Sequence, residues 1–507
     1  MSNKLQSDIE RQLTSRCRRL NSAPIGRDDG QYVLCWLQQT LRGAANPVID
    51  AAIALGNSLD LPVVVYHGIG QHYPHASDRL HQFILEASYS LERDVNDRGL
   101  RFLRVVERQE QPAKGLVYRL ATAAAALVID DLSAFVGRWQ AMRVAKRLDI
   151  AVIAVDAARL VPEQAIGCDC PTTRQFRARV GDLREEWSGD YASIEASVAP
   201  FENELASRHD ALGHNWRKGI STLIRECDID HSLPAASWCT GTREAGLQQL
   251  YWAGSKVIPG YASNRNNPAV YGTTCLSPYL HFGVLGPQDV VGVASQIEAP
   301  RDQWKFLDEL LVWREFFHHT SLRFDDPTAF GNFPEWARQT LALHASDPRP
   351  VKYDLHALVH GQTDDETWNA AQRQFLIDGW MHNNLRMYWG KRLIEWTETP
   401  EAAWDTACYL NDRFSLDGRD PATYGNLRWC FGSGRPAAEV PIYGSVSRKS
   451  DRIMRSRPGV NEWLFTAARR EGPMVSIPEK IPVWSQPQAS GKTAVPYSDS
   501  ENQRVKR

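Results

Sequence analysis

The sequence holds 507 residues, 43% of them hydrophobic, which is enough for a large core and more than one domain usually carries. Its 58 Lys and Arg nearly balance 60 Asp and Glu, excluding a global basic field, so any contact with nucleic acid must use a local patch. The nine cysteines lack CxxC spacing, no run nears the roughly 20 apolar residues of a membrane span, and the Met1 end is polar, which together predict a soluble cytoplasmic protein with reduced thiols.

Short apolar, β-branched runs predict strands at Tyr32–Leu37, Pro62–His67, Phe102–Val106, Ala126–Asp130 and Ala151–Asp156. Helical patterns separate them: Asn46–Asn57 with Pro47 in its first turn, Asp78–Asp97, and Ala141–Arg147. Alternating strands and helices imply a Rossmann-like α/β domain with a parallel sheet over residues 30–160. Residues 161–204 are mixed and polar and read as an interdomain linker; Cys168 and Cys170 are its close thiol pair, with no second pair to complete a zinc site.

From 205 to 470 the β signal nearly vanishes and the pattern predicts an all-α domain. Its helices are expected at Glu202–Glu226, Glu244–Ile258, Pro287–Ile297, Gln303–Arg323, Thr367–Trp396 and Pro400–Tyr409. The Ser-, Gln-, Lys- and Pro-rich stretch from Gln486 to Arg507 reads as a disordered tail.

Four strings in this second half can carry chemistry. Trp389 and Trp396 are seven residues apart, about two helical turns, so both indoles share one face, and Trp368 lies upstream. That spacing suits electron hopping between rings and equally suits core packing. In the second string, Tyr261-Ala-Ser-Asn-Arg265-Asn266 precedes Gly272-Thr273-Thr274-Cys275-Leu276-Ser277-Pro278, hydroxyls and N–H groups at a helix start that fit a pyrophosphate or an ordinary cap. In the third, Glu309 and Trp313 share a helix face, where the carboxylate can meet a base edge and the indole stack on it, or Glu309 can simply pair with an arginine. The fourth runs from Asn411 through Asp417-Gly-Arg-Asp-Pro421 to Trp429, and Asp417 can form a fixed ion pair with Arg386 around a polar ring system. Between 428 and 457 seven basic residues, Arg448 among them, face two acids, a run that can neutralise phosphates or be a solvated face.

Taken together, in this order and spacing, the strings resemble the photolyase/cryptochrome family, most closely its class II cyclobutane pyrimidine dimer photolyases. The resemblance implies an α/β antenna-type domain followed by a helical domain that holds FAD, active in its reduced anionic form. It implies that Tyr261, Thr273, Thr274, Cys275, Leu276 and Ser277 hold the phosphates and ribityl chain. Asn383, Arg386 and Asp417 would lie near the flavin ring, and Asn411 would face its N5. The electron relay would run Trp389, Trp368, Trp396. Glu309, Trp313 and Trp429 would receive an extruded dimer, with Arg265, Asn266 and Arg448 on the DNA. The implied activity is light-driven repair of pyrimidine dimers in DNA by a monomeric enzyme. A cryptochrome-type photoreceptor is the alternative. A (6-4) photolyase is disfavoured, because this chain has His382-Asn-Asn where that chemistry uses paired histidines. The string Thr40-Leu-Arg42-Gly-Ala-Ala-Asn46 keeps only Arg and Asn of the family's Arg-x-x-Asp-Asn pattern, so a second chromophore, a deazaflavin or a folate, stays open.

Overall fold

The computed structural model describes residues 13–189, 191–202, 208–432 and 434–482. The tail expected from Gln486 lies outside these, as does part of the helix expected from Glu202; within that stretch a helix forms at Trp216–Arg225.

Six strands form one sheet: β1 (Cys17–Arg19), β2 (Tyr32–Leu37), β3 (Val63–Ile69), β4 (Arg101–Val106), β5 (Ala124–Asp130) and β6 (Ala151–Val155). Their order is β1-β6-β5-β2-β3-β4. All pairings are parallel except β1 with β6, so the expected parallel sheet carries an antiparallel edge strand. Every residue of β2 and β5 is buried, as a parallel sheet covered on both faces requires. The helices α1 (Pro47–Leu59), α2 (Asp78–Asp97), α3 (Leu116–Ala121) and α4 (Phe135–Arg147) supply that cover. Asn46 caps α1 by accepting from Val48 N–H at 2.9 Å, and Pro47 sits at the first helical position, where its missing N–H is harmless. Because β2 is flanked by β3 and β5, the chain reverses its winding there, and a crevice opens beyond the carboxyl ends of β2 and β5.

The predicted linker is partly helical, with α5 at Thr173–Trp187. Beyond it every named element is helical among the described residues. Those that build the site are α6 (Arg243–Lys256), α7 (Ser277–His281), α8 (Pro300–Asp308), α9 (Glu315–Ser321), α10 (Glu366–Asp378), α11 (Asn383–Trp396), α12 (Pro400–Phe414) and α13 (Pro421–Cys430). The helix expected over Thr367–Trp396 is two helices, α10 and α11. Gly379 ends α10 at φ +63°, and the His382 side chain caps α11 by accepting from Asn384 N–H. Similarly, Gln303–Arg323 is α8 and α9 joined by a π-helical turn at Glu309–Arg314. No described helix is long and apolar enough to cross a membrane.

The two domains share one apolar core that runs from Val33 and Val128 to Phe306 and Leu310. Two buried arginines stitch the seam. Arg42 donates to the carbonyls of Ala45, Gly283 and Ala157 at 3.0, 2.9 and 3.3 Å. Arg79 of α2 donates to Phe375, Leu376 and Phe414 carbonyls at 2.9, 2.5 and 2.8 Å, and so satisfies the C-terminal ends of α10 and α12.

Candidate functional site

A cavity of ≈ 290 Å³ opens in the helical domain, near the lower end of the volumes of small-molecule sites (about 300–1,000 Å³). Its wall combines three of the four sequence strings. Tyr261, Arg265, Asn266 and Thr273 through Ser277 line one side; Glu309 and Trp313 line a second; Asn383, Arg386 and Asp417 line a third.

The predicted ion pair is present and buried. Arg386 Nη1 and Nη2 each donate to Asp417 Oδ1 at 3.1 Å, and the guanidinium lies 5.2 Å over the Phe375 ring. Ser415 Oγ–H donates to the same carboxylate. Burial alone would raise the Asp417 carboxyl, but Arg386, Ser277 and Ser415 outweigh it and hold it below the usual carboxylate range. Asn411 on α12 is fully buried against this turn, where a Cβ on Gly418 would stand 2.8 Å from the Asn411 carbonyl. It does not line the cavity itself. Its Nδ2 donates to Asp412 at 3.2 Å, while its Oδ1 has no partner among the described residues, and neither does Arg386 Nε. The open donor belongs to a residue of the cavity wall and fits a polar ring with an acceptor edge, whereas the open acceptor of Asn411 lies behind that wall.

The hydroxyl loop lines the cavity. Helix α7 has five residues with Pro278 at its start, so it offers little dipole or N–H donation; Ser277 is engaged with Asp417, and Thr273 and Thr274 present the other hydroxyls of this wall. Close packing shapes the loop: Cys275 adopts φ +52°, and a Cβ on Gly272 would lie 2.3 Å from the Asn264 carbonyl. Burial pushes the Cys275 thiol up to about 11 and the Tyr261 phenol up to about 12.

Glu309 sits in the π-helical turn, a distortion that redirects side chains and recurs at functional sites. Its Oε1 accepts from Arg265 and from Lys305, each at 2.6 Å. Trp313 stands edge-on to Trp429 of α13, centroids 5.7 Å apart and planes at 70°. Asn266, on the rim, accepts from Asn384 Nδ2 at 3.1 Å.

The indole ladder starts one step behind Arg386. Phe375 meets Trp389 at 5.6 Å; Trp389 stacks on Trp368 at 6.1 Å with planes 6° apart; Trp368 meets Trp396 edge-on at 5.2 Å. Capping fixes the geometry, since Asp365 accepts from Trp368 N–H at 2.9 Å and Trp368 Nε1 donates to the Trp389 carbonyl at 3.0 Å. Trp389 Nε1 donates to Gln372 Oε1, also at 3.0 Å.

Arg448 is not brought to the cavity. It lies at the opposite end of α11, donating to Glu395 at 3.3 Å. Part of the basic run is likewise engaged: Arg428 packs its guanidinium 4.3 Å over Phe324 and 5.7 Å over Phe333, and Arg455 pairs with Glu366 and Asp451. Sequence reasoning missed Lys305, although its i,i+4 spacing to Glu309 was readable. It also missed Phe375, Gln372, His281 and Asp420, which only tertiary packing brings to the site.

An α/β domain followed by a helical domain whose cavity adjoins a buried indole ladder is the architecture of photolyases and cryptochromes. Two solved structures share the fold: a class III photolyase from Agrobacterium tumefaciens (TM-score 0.58, 20% identity, 84% of this chain and 83% of that one) and a cryptochrome from Synechocystis sp. (TM-score 0.61, 16% identity, 85% and 88%). No family model matches the chain. Curated relatives named deoxyribodipyrimidine photo-lyase include one from Methanothermobacter thermautotrophicus, 32% identical over 86% of this chain and 94% of the relative. Another, from Oryza sativa, is 31% identical over 83% and 85%. The chain belongs to the deoxyribodipyrimidine photo-lyase family, whose members are FAD-binding DNA-repair lyases.

Proposed function

We propose that this chain is a light-driven lyase that splits cyclobutane pyrimidine dimers in DNA, with FAD in the ≈ 290 Å³ cavity. The observation that carries the reading is the placement of α11, which lends Asn383 and Arg386 to the cavity and Trp389 and Trp396 to the ladder. Bound in its reduced anionic form, FAD supplies light absorption and the single electron that opens the cyclobutane ring and then returns.

The chain's own groups do the rest. The Arg386–Asp417 pair would fix the ring edge, with Asn411 buried behind the turn that carries Asp417. Tyr261 and the residues Thr273, Thr274, Cys275, Leu276 and Ser277 hold the phosphates and ribityl chain. Glu309 accepts hydrogen bonds from the lesion, and Trp313 and Trp429 wall the space it enters, excluding water where negative charge develops. Arg265 and Asn266 stand at the DNA rim. Extrusion of the dimer costs less than that of a sound base, because the lesion already stacks and pairs badly. Trp396, Trp368 and Trp389 would carry electrons from an external donor toward the cavity.

A repair assay on ultraviolet-treated oligonucleotide, run dark and lit with the absorption spectrum recorded, tests this. Repair only in light is the expected result. Flavin reduction in light without repair replaces the reading with a photoreceptor, and a colourless protein overturns it. A further near-ultraviolet or blue band identifies an antenna chromophore in the α/β domain.

A further inference from the structure

A second, smaller cavity of ≈ 30 Å³ lies in the seam between the domains, in the crevice beyond β2 and β5. Four residues of its lining each carry a buried polar atom with no hydrogen-bond partner among the described residues: Thr40 Oγ1, Asp130 Oδ1, His318 Nε2 and Arg419 Nη2. These side chains belong to residues no more than 6% exposed. Arg419 Nη2 donates, Asp130 Oδ1 accepts, and the Thr40 hydroxyl and His318 nitrogen can do either, a mixture that suits water and not a single ion. The volume admits about two waters, at about 10–15 Å³ each.

The inner wall of this chamber is shared with the large cavity, because His281 and Asp420 line both. Asp420 Oδ2 lies 3.0 Å from His281 Nδ1, and its Oδ1 lies 3.5 Å from His318 Nε2, outside good hydrogen-bond geometry. The same His281 nitrogen is 2.9 Å from the Gln39 amide. Toward the surface, the chamber ends at the half-buried Gln39, Asp131 and Leu132. Burial raises the Asp130 carboxyl to about 6, whereas His318 and His281 outweigh burial at Asp420 and hold its carboxyl well below the usual range. Within the large cavity the other carboxylates are committed, Asp417 to Arg386 and Glu309 to Arg265 and Lys305.

We propose that the seam cavity is a hydrated proton entry, passing protons from the surface through its waters to His318 and His281, which the Asp420 carboxylate orients, and so into the flavin cavity. The inference rests on the flavin reading above and adds a proton supply to it. Converting an oxidised isoalloxazine to its reduced anionic form takes two electrons and one proton. The electrons come through the tryptophans from an external thiol, two of which become a disulfide, and the seam chamber delivers the proton.

The test uses full-length flavin-loaded protein and two variants, His318→Gln and His318→Leu, with dithiothreitol as reductant. Light-driven reduction is followed in H₂O and D₂O, and the wild-type crystal structure is solved at a resolution that shows waters. Expected are ordered waters in the chamber, wild-type flavin content in His318→Gln, and reduction slowed at least about tenfold in both variants. The slowed step should also gain a solvent deuterium effect that the wild type lacks, which a merely structural lesion would not produce. A dry chamber, or variants that reduce at the wild-type rate in both solvents, overturns the proton entry and leaves the flavin reading standing. A colourless protein overturns the flavin reading and removes the relay's destination with it.

Discussion

Asp417→Asn should unfold the helical domain more easily and empty its flavin site. In the wild type the Arg386 guanidinium is buried and both of its terminal nitrogens meet Asp417 at 3.1 Å. Removing one charge of a buried pair costs about 3–5 kcal/mol, because the partner is left uncompensated. The amide keeps the shape and can still accept from Ser415, so the lower end, about 3 kcal/mol, applies; that is roughly a hundredfold in the folding constant. Tryptophan fluorescence in urea reads the helical domain, and the midpoint should fall by about 1 M. Replacing both partners, Arg386→Met with Asp417→Leu, should recover stability to within about 1 kcal/mol while flavin uptake stays lost. The pH dependence follows from the lowered Asp417 carboxyl. A carboxyl depressed on folding stabilises above its unfolded value of about 3.9, and that contribution disappears as pH falls through the folded value. Wild type should therefore lose stability below about pH 4 more steeply than Asp417→Asn. An unchanged midpoint together with retained flavin would refute the argument.

Trp368→Phe removes the middle indole and its donor to the Trp389 carbonyl; it should cost about 1–2 kcal/mol and slow photoreduction far more than repair by chemically reduced enzyme. Equal slowing of both would remove Trp368 from the relay. Glu309→Gln loses a half-exposed bridge to Arg265 and Lys305, so its melting free energy should move by less than about 1 kcal/mol while lit repair falls about tenfold or more. Full activity in this variant would take Glu309 off the lesion. Gly283→Ala places a Cβ 2.5 Å from the Gln39 carbonyl at φ +62°, and calorimetry should show a loss of at least about 2 kcal/mol through the domain seam. An unaltered melting curve would mean that the seam yields freely.

Where local pattern alone decides structure, the sequence was sufficient. The helix Asp78–Asp97 and the strand Tyr32–Leu37 form at the expected bounds, because a strong apolar period and a short, fully buried apolar run leave no competing choice. Strand β1 was not legible: three residues, two of them arginine, carry no period, and the strand exists because β6 offers an edge. The break between α10 and α11 was hidden for a related reason. Gly379 is one residue in an otherwise helical run, and its role depends on the Arg79 side chain and Phe414 carbonyl that a Cβ there would meet at 3.1 and 3.3 Å. At the site, Arg386 with Asp417 and Glu309 with an arginine were both readable as charge pairs. The fate of the basic run was not, since Arg428 turns inward onto two phenylalanines instead of outward to phosphate.

The α/β domain is more than a neighbour of the cavity. Arg79 of α2 holds the carbonyls of Phe375 and Leu376 at the end of α10 and of Phe414 at the end of α12. Phe375 is the ring between Arg386 and Trp389, and Phe414 precedes the turn that carries Ser415 and Asp417. One guanidinium therefore sets the register of the cavity's ion pair and of the ladder's first ring together. Helix α11 responds as a unit, because Arg386 and Trp389 are three residues apart and cannot shift independently. Loosening the seam should consequently weaken flavin retention and photoreduction in parallel, even though no residue of the α/β domain lines the large cavity.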